Sequence, residues 1–176
     1  MIGIRWIDVM RKRIETIKGS NQREILMDIT FPEKSNDKLV VFSHGFKGFK
    51  DWGCFDLIAQ NFAQNGFTFL KFNFSHNGGT IENPIDFPDE DAFGENTYSL
   101  EIEDLDRVLN FVENSFNLAS VFLIGHSRGG GIATLKTGQD KRISKLATWA
   151  AVSDFKIKEL EFILSSSIFW IFLFDS

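Results

Sequence analysis

Residues 120–134 read SVFLIGHSRGGGIAT, and the architecture of the whole chain turns on this stretch. Residues 121–124 (VFLI) are a short apolar run of the buried-strand kind. Residues 125–129 (GHSRG) hold a serine between two glycines, and small residues follow as at the opening of a helix. A strand that turns directly into a helix forces its turn residue into strained backbone geometry and lifts that side chain above the sheet edge. The flanking side chains must then be almost absent. Gly125 and Gly129 supply that absence, leaving Ser127 as an exposed hydroxyl. Five such letters occur by chance in roughly one chain in ten of this composition, so their weight comes from the strand-like residues before them and the helix-like residues after. The plain alternative is a glycine-rich turn with a passive serine.

Outward from the turn, the chain alternates strand and helix patterns. Residues 38–42 (KLVVF) are an apolar run ending at Ser43-His44-Gly45, as expected of a parallel strand covered on both faces. Residues 55–64 place Phe55, Ile58, Ala59 and Phe62 at helical spacing, with Asn65-Gly66 as a stop. Residues 67–74 (FTFLKFNF) are strand-like again, which implies a right-handed parallel crossover. Residues 75–98 break the rhythm with acids at 82, 86, 89, 90, 91 and 95 and no lysine or arginine. They read as a solvated excursion, with a lid or a cation site as the alternatives. Residues 99–115 form an amphipathic helix whose apolar side is Leu100, Leu105, Val108, Leu109 and Val112; Glu101, Glu103, Asp104, Asp106 and Arg107 read as its wet face. Residues 130–136 continue as helix and 143–152 as a further strand. At the other end, 11–17 and 24–31 alternate around Gly19-Ser20-Asn21, a hairpin with one wet face. The expected fold is a doubly wound, mostly parallel α/β sheet with an N-terminal β-hairpin, its core at 10–155 and a Phe-rich tail at 156–176.

With 176 residues the chain fits one domain that buries roughly 70% of its unfolded surface. A net charge of −5 argues against nucleic acid or an anionic membrane as the main partner. Cys54 is the single cysteine, which excludes an internal disulfide; it reads as a small core filler near a helix start. Charges scattered through residues 1–15 do not suit a secretory leader, so a cytoplasmic location is expected.

A serine hydroxyl attacks only when a base takes its proton, and the base needs an orienting acid. The reaction also needs two backbone amides aimed at the developing oxyanion. The amide of Arg128 follows the serine at a helix start, whose positive end favours anions. The loop after the 39–42 strand reads HGFKGFKDW (44–52), and the Phe46 amide is the second candidate.

Strand, HGFKG, helix, strand, FNFSHNGG, helix, strand, GHSRGG, helix, strand resembles the α/β-hydrolase superfamily, and within it the esterase or acyl-peptidase-like members with an HGF oxyanion loop. The resemblance spans about residues 40–154. It implies Ser127 as nucleophile, Phe46 and Arg128 as oxyanion amides, and His44, Gly45, Gly125, His126 and Gly129 as residues that shape the site. His44 reads as a fixer of its loop, His126 as pointing away from the hydroxyl, and His76 as pocket lining. The activity implied is hydrolysis of a carboxylic ester, thioester or amide of a small molecule through an acyl-enzyme, with no metal or organic cofactor. The family order is serine, acid, histidine, yet the three histidines stand at 44, 76 and 126 and none follows Ser127. Asp154 lies where some members carry the acid; otherwise it caps a strand end. Residues 162–174 (FILSSSIFWIFLF) are too short to span a bilayer. They read as an interfacial or buried segment, as a terminal aggregation-prone strand, or, our preferred expectation, as the sign of a chain cut or frame-shifted after about residue 155. An inactive remnant or small-molecule-binding protein is the functional alternative.

Overall fold

The computed structural model describes residues 11–153 and the backbone of 171–175. Seven strands form one sheet in the order β1-β2-β4-β3-β5-β6-β7: β1 Lys12–Lys18, β2 Glu24–Thr30, β3 Lys38–Ser43, β4 Thr68–Phe72, β5 Ser120–His126, β6 Ile143–Trp149 and β7 Ile171–Asp175. The neighbours β4-β3-β5-β6 run parallel. The hairpin joins them antiparallel through β2 on β4, and β7 pairs antiparallel with β6. The α-helices among the described residues are α1 (Phe55–Gln64), α2 (Glu90–Glu95), α3 (Tyr98–Ser115) and α4 (Arg128–Gln139).

The period-two pleat of β3 and β5 sorts the core onto two faces. Leu39, Val41 and Leu123 join Leu105, Leu109 and Val112 of α3 and Ile132 of α4. Val40, Phe42 and Ile124 join Phe55 and Ala59 of α1. Both faces are covered, which is why the central strands read as continuous apolar runs.

Several expectations need correction. The hairpin does not share one wet face: β1 is the exposed edge, while β2 lies between β1 and β4 and is buried on both sides beyond Glu24. The excursion 75–98 is not wholly solvated, since Ser75, His76 and Asn77 are buried and α2, capped by Asp89, interrupts it. On α3 two of the supposedly wet acids, Glu101 and Asp104, are buried. Cys54 is exposed at the start of α1 rather than filling the core. Asp154, the ends of the expected core at residues 10 and 155, and residues 156–170 and 176 of the Phe-rich tail lie outside the described residues. No helix among the described residues is long and apolar enough to cross a membrane.

Candidate active site

Between the end of β5 and the first residue of α4 stands Ser127, with φ 53° and ψ −120°. A non-glycine residue holds such a backbone only when its surroundings over-determine it, and here they do. The Ser127 amide donates to Trp149 O (2.8 Å), and its carbonyl accepts from Gly130 N (3.0 Å), Gly131 N (3.3 Å) and Val152 N (3.2 Å). The hydroxyl is left out of this scaffold: it is half-buried and caps no helix amide.

Two glycines make the turn possible. A Cβ on Gly125 would lie 2.6 Å from Gly130 Cα, and one on Gly129 would lie 2.6 Å from Ser43 O and closer still to His44 O. Helix α4 therefore packs backbone to backbone against the ends of β5 and β3. Gly45 brings the next loop equally close, since a Cβ there would stand 2.9 Å from Ser127 Cβ and 3.2 Å from His126 Nδ1. The residue after Gly45 is Phe46. Among the described residues, no loop or cap hydrogen bond uses the amide of Phe46 or of Arg128.

The histidines are each occupied elsewhere. His44 is buried; its Nε2 accepts from Phe74 N (3.2 Å), so Nδ1 carries the proton and donates to Gly45 O (2.8 Å). That ring ties the loop to the segment after β4. Burial outweighs the Gly45 bond and, with repulsion from His126, pushes His44 down to about 4. His126 stacks on Trp52 (6.3 Å, 18°) and meets Phe55 edge-on, its pKa lowered by burial. His76 bonds Ser75 Oγ through Nδ1 (2.7 Å) and leaves Nε2 buried without a partner; burial lowers its pKa too.

A pH dependence follows from these shifts. Unfolded His44 binds a proton below 6.5, whereas folded His44 stays neutral to about 4, so stability falls as pH drops through that interval. Urea unfolding of the wild type is expected to lose about 2 kcal/mol between pH 6.5 and 5 from this group. His44→Gln should flatten that slope, leaving the smaller parts of His76 and His126.

Two charge networks support the site, and neither was anticipated. Lys50 and Asp51 belong to the 44–52 loop. Lys50 donates to Asp28 of β2 (2.8 Å) and Asp51 (2.6 Å), while Lys71 of β4, fully buried, pairs with Asp28 (3.2 Å), Asp51 and Asp56 (2.9 Å). Lys12 reaches Asp28 as well. Burial acts to raise Asp28, but the bonds from Lys12 and Lys50 and the charges of Lys50 and Lys71 hold it well below the usual carboxylate range. Among the described residues, Asp28, Asp51 and Asp56 are the carboxylates close enough to share a metal ion, yet the three ammoniums already neutralise them. In the second network Arg128 Nε donates to Glu101 Oε2 (2.8 Å). The one signal in sequence was a lone charge inside an apolar strand, Lys71 in FTFLKFNF and Asp28 in EILMDIT, which demands a buried partner.

Comparison with known proteins follows the same lines. The family described as alpha/beta hydrolase fold matches residues 38–172. No curated protein matches the chain. Among solved structures it is similar to a highly thermostable carboxyl esterase from Bacillus coagulans, with 19% identity over 80% of this chain and 44% of that one (TM-score 0.66). It is similar also to an alpha-beta serine hydrolase homologue from Coxiella burnetii, with 22% identity over 80% of this chain and 63% of that one (TM-score 0.62). A dienelactone hydrolase from Anabaena variabilis shares 14% identity over 81% of this chain and 64% of that one (TM-score 0.65). The chain thus spans less than two thirds of each of these structures. With the family match running over most of its length, the chain belongs to the alpha/beta-hydrolase fold family.

Proposed function

We propose that the chain is a serine hydrolase, with Ser127 as nucleophile, acting on a small-molecule carboxylic ester, thioester or amide. The observation that carries this reading is the strained Ser127, tied by every backbone group yet free at its hydroxyl. Ser127 Oγ attacks the acyl carbonyl, and the oxyanion that forms takes hydrogen bonds from the Arg128 and Phe46 amides. The N-terminus of α4 adds its positive end. Collapse expels the alcohol, thiol or amine and leaves an acyl-enzyme, which water then hydrolyses. Each step uses side chains, main-chain amides and water, so the reading calls for no metal or organic cofactor.

The proton on Ser127 Oγ needs a base. His44 has both ring nitrogens engaged, and no histidine follows Ser127 in this sequence. Asp154 is the proposed acid. The missing histidine favours a second reading, a protein that keeps the pocket but does not turn over, because loss of the base alone costs around a millionfold in kcat by precedent.

A fluorophosphonate probe separates the two. Mass spectrometry of the treated protein should find the label on Ser127, and Ser127→Ala should take none. A folded wild-type chain that stays unlabelled would favour the second reading.

A further inference from the structure

Arg128 does more than follow the serine. Its guanidinium is largely buried and its Nε bonds Glu101 Oε2 at 2.8 Å; the other Glu101 oxygen accepts from Asn96 Nδ2 at 2.8 Å. The Arg128 Cζ lies 4.1 Å from the Tyr98 ring centre and 5.7 Å from that of Phe46. Tyr98 and Glu101 form the first turn of α3, which Thr97 caps through Leu100 N. Phe46 leans in turn on Phe93 of α2 (5.4 Å). A single planar cation therefore joins the starts of α3 and α4 to the tip of the 44–52 loop, its edge on a carboxylate and its faces toward rings.

Taking the Arg128 and Phe46 amides as the oxyanion donors, and so resting on the reading above, we infer that the Arg128 side chain is a positioning residue that holds the two amides at their working separation. One amide is its own. The other belongs to the residue whose ring it touches. Phe46 is half-exposed and is followed by Lys47 at φ 55°. Phe93 and the turn bond from Gly48 N to Gly45 O (3.0 Å) also hold the loop tip, but among these contacts the Arg128 guanidinium is the one that ties it to the start of α4. Lysine at 128 could keep the charge opposite Glu101 but not the planar face against Tyr98 and Phe46.

The test uses the full chain with Arg128→Lys and the double variant Arg128→Met/Glu101→Gln, which leaves no lone buried charge to unfold the protein. Amide hydrogen exchange is read over 44–50, and the rate of fluorophosphonate labelling is read at Ser127. Exchange at 44–50 should rise about tenfold or more in the double variant, with the unfolding midpoint held and the β1–β2 hairpin unchanged. Labelling should fall at least tenfold, since small misplacement of such groups costs up to about a hundredfold. Arg128→Lys should lie between. Unchanged exchange at 44–50 in both variants overturns the inference, whatever happens to labelling. If the wild type itself takes no label, the nucleophile reading fails on its own, and the exchange data still decide whether Arg128 holds the loop.

Discussion

Gly129→Ala is expected to cost about 3 kcal/mol or more in unfolding free energy, the upper end for overpacking, and to reduce labelling of Ser127 by a hundredfold or more. The added methyl group would meet Ser43 O at 2.6 Å, His44 C at 2.9 Å and His44 O nearer still. These are backbone atoms at the end of β3, where no rotamer change relieves the clash. Either α4 lifts off the sheet or the 43–46 segment moves, and both displace the groups around Ser127. Gly138, in the last turn of the same helix, has nothing within 4 Å of its would-be Cβ. Gly138→Ala should therefore stabilise the chain by up to about 1 kcal/mol. Equal effects of the two substitutions, measured by urea unfolding, would show that helix propensity rather than close packing governs Gly129.

What could be read without coordinates was what neighbouring residues decide. Helix α1 runs Phe55–Gln64, the span its spacing predicted. The sharp turn at Ser127 followed from its two glycines, because local sterics permit little else there. The charges behaved differently. Glu101 on an amphipathic helix looks like any wet acid until Arg128, 27 residues on, arrives beside it. Asp104 likewise receives Ser20 N (2.7 Å) from the hairpin turn and Ser75 N (2.8 Å) from the segment after β4. Helical periodicity assigns a face but not what packs against it. The hairpin failed for a related reason: alternation in β2 suggested a wet side, but the Lys12, Lys50 and Lys71 side chains gathered on Asp28 cover it. A buried acid in a strand imitates a solvated one whenever its partners come from other elements.

Asp28→Asn is the second large effect, about 3–5 kcal/mol of lost stability, the usual range for breaking a buried pair from one side. Asp28 is 1% exposed and sits among Lys12, Lys50 and Lys71. The amide keeps its shape but leaves two buried ammoniums facing Asp51 alone, with only Asp56 to help Lys71. The sign of the pH dependence follows from the direction of its shift. The folded carboxyl is held below its ordinary 3.8, so its contribution is complete above that value and drains away as pH falls beneath it. Wild-type stability should therefore drop steeply on acidification below about pH 4, and Asp28→Asn should lack that part of the drop. Removing charge on both sides, Asp28→Asn with Lys71→Met, is expected to cost less than the sum of the single changes, by about 1–3 kcal/mol of coupling. Strict additivity in urea unfolding would mean that Lys50 and Lys12, not Lys71, balance Asp28. Because Lys50 and Asp51 lie on the loop that carries Phe46, loosening this network should also raise amide exchange at 44–50. The ion pairs behind the sheet and the geometry in front of Ser127 are thus joined through one loop.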